Sequence, residues 1–318
     1  MVSNHWENDM DRFDLASAMA CLEGVADHGT TAAGAVGESV LVRGMPAHQY
    51  HADRDALSCS MLKPLLVSPA HFQVALACPP RQTDAMVFGS VLHLLVLEPH
   101  LLSQEVAVFP SVASKRTSEY KEFVAGRPDK MVIDEPSFAE ARGLADKVMT
   151  TPYKGRCVGK FIEESIPEAT VYYTDPATGL RIRLRMDAYH LDLTIDLKST
   201  RHSDPLAFLR DAVDMDYDLQ AFLYSFGRGL YEGSQALEPF VFVAAETEAP
   251  YSVSTLSAGS TFMDNGARKY QAALTAYKAC SETGLWPDLG TDAELEIEPW
   301  QQFNPKGGWR AGLASQAG

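Results

Sequence analysis

Paired cysteines, a long apolar run and an excess of positive charge are all missing from this 318-residue chain. The five cysteines (Cys21, Cys59, Cys78, Cys157, Cys280) are scattered, odd in number and form no C-x-x-C pair. That excludes a disulfide framework and leaves no zinc or iron–sulfur spacing, so reduced thiols in a cytoplasmic protein are expected. A membrane helix needs about 18 or more apolar residues in a row. The longest apolar run, near 91–97, is interrupted by His93, so no span is expected. The first eight residues are polar and acidic, without the basic start and apolar stretch of a signal peptide. Acidic residues outnumber basic ones 42 to 27, for a formal net charge of −15. Such a chain does not coat nucleic acid by bulk attraction. An enzyme that gathers its positive charge into one cleft remains open.

What is present is the composition of a globular protein, 46% hydrophobic and 22% charged. Residues 1–45 mix Ala, Gly and acidic residues with weak periodicity and are expected to be a poorly ordered or accessory segment. A patterned region follows over 46–288, and 289–318 is an acidic, then Gly-rich tail. Within the patterned region, Ser58-Cys59-Ser60 opens an N-capped helix that closes at Ser68-Pro69. Helices are expected over 70–77, 84–98, 137–149 and 262–282, and one long helix from Pro205 to about Tyr231. Strands are expected at 105–109, 169–174, 179–187 and 240–245, the middle two joined as a hairpin across Asp175 to Gly179. No internal repeat is visible. This order predicts an α/β fold with a central mixed sheet flanked by helices.

The most informative segment runs from Asp187 to Lys198. Ile182, Leu184 and Met186 alternate with Arg181, Arg183, Arg185 and Asp187, and Leu193, Ile195 and Leu197 alternate with Thr194, Asp196 and Lys198. Period-two patterning puts apolar side chains on one face and charge on the other. A turn about Leu191 and Asp192 sets Asp187 opposite Asp196. Opposed side chains have Cβ atoms roughly 4.5–5.5 Å apart, where two like charges are destabilising. A cation between them relieves this, and Mg²⁺ held by one or two carboxylates and phosphate suits the geometry. By itself such a hairpin is also an ordinary solvated face.

Other residues can join it. His93 on an apolar helix is either a satisfied core histidine or a third metal ligand. Gly89, one turn earlier, allows a backbone or a phosphate to come close. Gln220 and Tyr224, four apart, share a helix face. Glu168 immediately precedes the strand that leads into the Asp187 hairpin. Lys198 neutralises the aspartates or stabilises charge developing on a phosphate.

Asp187 followed by Asp196-Leu197-Lys198 resembles the PD-(D/E)XK nuclease signature. With His93 upstream and Gln220-x-x-x-Tyr224 downstream it resembles the RecB-like branch. Ser58-Cys59-Ser60, Ser68-Pro69-Ala70-His71-Phe72, Phe88-Gly89 through His93 to Glu98-Pro99, and Trp286-Pro287 are similar to the C-terminal nuclease domain of the RecE (exonuclease VIII) family, in order over about 50–288. The resemblance implies a restriction-endonuclease-like fold and a Mg²⁺-dependent exodeoxyribonuclease, with Mn²⁺ substituting. It implies degradation of linear duplex DNA from 5′ ends, leaving 3′ strands for a RecT-type annealing protein in phage or prophage recombination. A homo-tetrameric ring around the DNA is implied as well, its acidic surface outward. By the same resemblance His93, Asp187, Asp196 and the Leu197 carbonyl are metal ligands and Lys198 is catalytic. Gln220 and Tyr224 support the site, and Glu168 is an additional acidic member. Met186 stands where the signature often has proline, a variant common in the RecB-like branch. Arg181, Arg183 and Arg185 are candidates for contact with the DNA backbone.

The expected chemistry is in-line attack of a metal-activated water on the phosphodiester, which Asp196→Ala should abolish while folding stays largely intact. A Cas4-like nuclease shares the core motifs but usually carries four cysteines on an iron–sulfur cluster, whose spacing is absent here. A catalytically silent DNA-binding scaffold on the same fold is the other alternative.

Overall fold

Strand pairing in the computed structural model follows the expected hairpin register and then departs from it. The residues described are 39–78, 82–112, 114–234 and 237–290, with 292, 294 and 296. Most of the expected N-terminal segment (1–38) and of the tail (297–318) lies outside them. The chain divides into Met1–Pro287 and Asp288–Gly318. Among the described residues, every strand and helix belongs to the first unit.

The strands are β1 (Val40–Val42), β2 (Val106–Phe109), β3 (Met131–Asp134), β4 (Pro152–Tyr153), β5 (Arg156–Cys157), β6 (Ile166–Thr174), β7 (Arg181–His190), β8 (Leu193–Thr200), β9 (Phe240–Glu246) and β10 (Val253–Ser257). The main sheet runs β1-β6-β7-β8-β9-β10, while β2-β3 and β4-β5 are separate pairs. All neighbours in the main sheet are antiparallel except β8 and β9. The sheet is therefore mixed, as the order of elements along the sequence predicts.

The helices are α1 (Ala47–Ala52), α2 (Cys59–Leu62), α3 (Pro69–Ala77), α4 (Asp84–Leu97), α5 (Leu102–Glu105), α6 (Ser118–Ala125), α7 (Glu135–Thr150), α8 (Val158–Glu163), α9 (Pro205–Asp214), α10 (Tyr217–Glu232) and α11 (Ser260–Thr283). Side chains of α10 and α11 pack on one face of the sheet, with Ile182, Leu184, Met186, Phe240 and Phe242. The other face buries Ala188, Leu193, Ile195 and Leu197 against α4, α7 and α8. No single helix among the described residues is long and apolar enough to cross a membrane.

Three elements differ from the sequence expectation. The helix expected over 205–231 is two, because Asp216 takes a left-handed conformation (φ 54°) between α9 and α10. Val40–Val42, inside the segment expected to be accessory, pairs with β6 as an edge strand. The helix opened at Ser58 lasts one turn before tightening to a 3₁₀ turn over Lys63–Leu66, where Pro64 cannot donate to an α-helical ladder.

Candidate active site

The site lies where β7 and β8 separate. Their ladder closes His190 on Leu193, Tyr189 on Thr194 and Ala188 on Ile195, which confirms the turn at Leu191–Asp192. Beyond that pair β8 turns away along β9, and the edge of β7 is taken by Leu57, which exchanges backbone hydrogen bonds with Arg181 and Arg183. At the fork the Asp187 carboxylate substitutes for the ladder, accepting the Leu197 N–H at 2.7 Å.

β6 and β7 change face at the same point. Met186 packs toward α10 whereas Ala188 packs toward α4. Across β6 the residue opposite Asp187 is Glu168, between the pairs Pro167–Ala188 and Ala169–Met186. Glu168 is in the left-handed region (φ 48°), an unfavourable conformation for a non-glycine residue, of a kind that clusters at functional sites. The expected single charged face therefore does not exist. Thr194 lies against Met186 (Oγ1–Sδ 3.7 Å), so the row Thr194, Asp196, Lys198 shares the α10 face with the apolar row of β7.

The fork gathers two groups. A ring nitrogen of His93 and carboxylate oxygens of Glu168 and Asp187 all lie within 4.8 Å of one another. His93 reaches in from α4, with Nδ1 3.6 Å from Asp187 Oδ2 and Nε2 2.8 Å from the Leu197 carbonyl. That carbonyl can only accept, so Nε2–H donates to it, and the contact holds the Leu197 oxygen beside the ring. The second group is Asp196, Lys198 and Gln220. Asp196, only 1% exposed, meets Lys198 Nζ at 2.5 Å and accepts from Gln220 Nε2 at 2.6 Å, while Lys198 donates to Gln220 Oε1 at 3.1 Å. Every polar atom of the Gln220 amide is thus spent on orienting the other two.

Charge in the first group is unbalanced. Burial first, then the neighbouring Asp187 charge, pushes the Glu168 carboxyl up to about 7. Asp187 is likewise raised, by burial and then by Asp196. Burial would lower Lys198, yet Asp196 and Asp187 outweigh it and hold the ammonium above its ordinary value. Burial lowers His93, keeping its imidazole neutral as ligation requires. Two carboxyls that resist ionisation beside a neutral imidazole fit a divalent cation, whose charge removes the repulsion. The mixed oxygen and nitrogen donors suit a divalent metal ion.

The structure brings His93, Glu168, Asp187, Gln220 and Tyr224 together in one cleft of about 1210 Å³. Asp196, expected among the metal ligands, contacts Lys198 and Gln220 and lies close enough to Asp187 to raise its carboxyl. Arg185 lines the cleft but is ion-paired to Glu168. Arg183, 3% exposed, donates to the carbonyls of Asp53 and Ala56 and stacks over Tyr50. Its burial removes it from the surface that a DNA contact needs. Arg181 stays exposed, over the Tyr172 ring. Gly89 lines the cleft, and a Cβ there would meet Ser199 Oγ at 2.8 Å, so the glycine lets α4 close on β8. Sequence reading missed Tyr217, whose ring lies 4.6 Å from Lys198 Nζ. Its spacing of three from Gln220 is the signal that points to it.

The model of a PDDEXK-like domain of unknown function (DUF3799) matches residues 58–299. A crystal structure of a "putative exonuclease" from Eubacterium rectale is similar with a TM-score of 0.51 and 13% identity, covering 76% of this chain and 87% of that one. At that identity the likeness concerns the fold. A Vibrio cholerae protein, also 13% identical, covers 77% of this chain and 56% of its own at a TM-score of 0.20, too low to bear on the argument. No curated protein matches.

Proposed function

We propose, from the premise that this chain belongs to the PDDEXK-like family DUF3799, that it is a metal-dependent exodeoxyribonuclease. Its proposed substrate is linear double-stranded DNA. The observation that carries the reading is the pairing of two groups at the β7–β8 fork, a metal-competent trio and a lysine–carboxylate–amide network beside it.

His93, Glu168 and Asp187 would hold the cation, with the Leu197 carbonyl within reach. When bound, a divalent cation polarises the phosphodiester and lowers the pKa of water. The chain's own residues do the rest. Asp187 ties the site to the β8 backbone through the Leu197 N–H, so its carboxylate is fixed before substrate arrives. Lys198 stays protonated and presents its ammonium to the phosphate, where negative charge grows in the transition state. Asp196 and Gln220 hold that ammonium in place, since both contact it and each other. Preorganised charge of this kind needs no rearrangement during reaction.

Mg²⁺ as the ion, 5′ to 3′ polarity, a RecT-type annealing partner, a tetrameric ring and a cytoplasmic location complete the proposal, on the strength of the motif resemblance. The test is digestion of equal amounts of linear and covalently closed circular duplex, in Mg²⁺ and in EDTA. Loss of the linear form alone, and only with Mg²⁺, supports the reading. Cutting of the circle indicates an endonuclease, and no digestion of either indicates a scaffold.

A further inference from the structure

Lys63 is a cation without an anion. Its ammonium lies 5.1 Å from the centroid of the Tyr217 ring, the ring that also carries Lys198 at 4.6 Å. Lys198 is answered by Asp196 at 2.5 Å. Among the described residues no carboxylate pairs with Lys63; its partner is the Met215 carbonyl at 2.5 Å. The nearby Asp216 carboxylate is taken by Lys269 at 2.7 Å. Lys63 lines the same cleft as the His93 trio, beside Ser58 and Ser60. Those two hydroxyls meet at 3.1 Å, and Ser58 leaves its N-cap position unused.

The ordinary explanation is a lysine that satisfies the C-terminal carbonyl of α9, where a positive charge is favourable. That accounts for the hydrogen bond but not for the setting. Burial above all, with the adjacent Lys198 charge, pushes Lys63 below its usual value, and the nearby Asp216 and Asp196 do not offset it, so the ammonium is held where it is disfavoured. An unpaired, partly desolvated charge of this kind is compensated by an incoming anion. Lysine and serine hydroxyls together are common phosphate contacts in DNA recognition.

We propose that Lys63, with Ser60, binds a backbone phosphate of the DNA strand next to the scissile one. This rests on the nuclease reading above. The cleft then holds two phosphates, one at the His93–Asp187–Lys198 centre and one at Lys63, and the shared Tyr217 ring sets their spacing. Lys63 is a binding residue and takes no part in the bond-breaking step.

The test compares Lys63→Gln, which removes the charge but retains a donor for the Met215 carbonyl, with Lys63→Arg, which retains the charge. One readout is kcat/KM on linear duplex against kcat/KM on the p-nitrophenyl ester of thymidine 5′-phosphate, which has no neighbouring phosphate. The other is the salt dependence of oligonucleotide binding in EDTA. Lys63→Gln is expected to raise KM for DNA about 5–20-fold and to lose correspondingly less on the ester. Its log–log salt slope should shrink by about 0.7–0.9, the value of one phosphate contact. Lys63→Arg should restore the slope. An unchanged slope in Lys63→Gln, an equal loss on both substrates, or a loss that follows the thermal midpoint and is not rescued by Arg overturns the proposal. If the wild type cleaves neither substrate, the nuclease reading fails while the salt slope still decides whether Lys63 contacts phosphate. A wild type that binds no oligonucleotide overturns both.

Discussion

Glu168 and Asp187 lie opposite each other on β6 and β7, and the Asp187 charge makes Glu168 harder to ionise. Both carboxyls are raised above their unfolded values, near 4. As pH rises from about 4, the unfolded chain releases these protons first, so the native state loses stability until it has released them too, near pH 7 for Glu168. His93, lowered by burial, acts in the opposite direction below about pH 6.5. The difference between wild type and Glu168→Gln isolates the carboxylate. In EDTA, wild type should lose more of its thermal midpoint between pH 5 and 8 than Glu168→Gln does. Millimolar Mg²⁺ should recover that loss in wild type but not in Asp187→Asn. A wild type and Glu168→Gln with parallel midpoints across that range would show that no such repulsion exists.

Asp196 needs a gentler substitution than alanine. It is buried and bound to both Lys198 and Gln220, so truncation leaves a buried ammonium unpaired and lowers stability. Asp196→Asn keeps the shape and a polar contact. Turnover on linear DNA should fall at least about 10²–10³-fold in Asp196→Asn, as for loss of one preorganised charge. The midpoint should fall less than in Asp196→Ala. Near wild-type turnover in Asp196→Asn would remove Asp196 from the site.

At the scale of elements, α10 positions the site and α11 positions α10. Gly266 of α11 presses on the first turn of α10, where an added Cβ would lie 2.0 Å from the Asp218 carbonyl oxygen. Asp218 is buried and held by Asn265 and Lys269 of α11, two residues before Gln220. Gly266→Ala must push α10 away. It is expected to cost about 1–3 kcal/mol and to reduce turnover, since Gln220 moves with the helix. Gly143→Ala in α7 is the control, because nothing lies within 4 Å of its added Cβ; that helix should be neutral or slightly stabilised. Equal midpoints for the two variants, by calorimetry, would mean α10 tolerates the shift. The break at Asp216 also belongs to this scale. The hydrophobic pattern continues through it from α9 into α10, so the periodicity that marks helices gave no sign of a left-handed residue there.

At the scale of the whole molecule, a chain of net charge −15 that binds DNA as proposed does so through a few cations. The cleft is lined by Lys63, Lys130 and Arg185 against Glu98, Glu105, Asp129, Glu168 and Asp187. Arg185 is already paired. The salt slope of DNA binding should therefore be shallow, about −2 to −3 per chain rather than the roughly −10 of a protein that binds many phosphates. A steep slope would place the main DNA contact outside this cleft. If the proposed ring forms, light scattering should give a particle of four chain masses; a monomer at working concentration would leave the cleft to act alone.

The local sequence determined the hairpin turn at Leu191–Asp192, its register, and the placement of Asp187 at the fork, because period-two alternation and turn chemistry are short-range. It also marked His93, Gln220 and Lys198 as polar residues set in apolar patterns. Only the tertiary structure decided which of them meet. Glu168 joins His93 because two strands change face together, a rotation that alternation along either strand does not encode. Asp196 turns to Lys198 and Gln220, and Arg183 is buried under Tyr50, because α10 and α1 cover what an isolated hairpin would expose. Contacts of that kind join residues up to a hundred or more positions apart, as His93 and Leu197 show, and depend on where whole helices settle on the sheet.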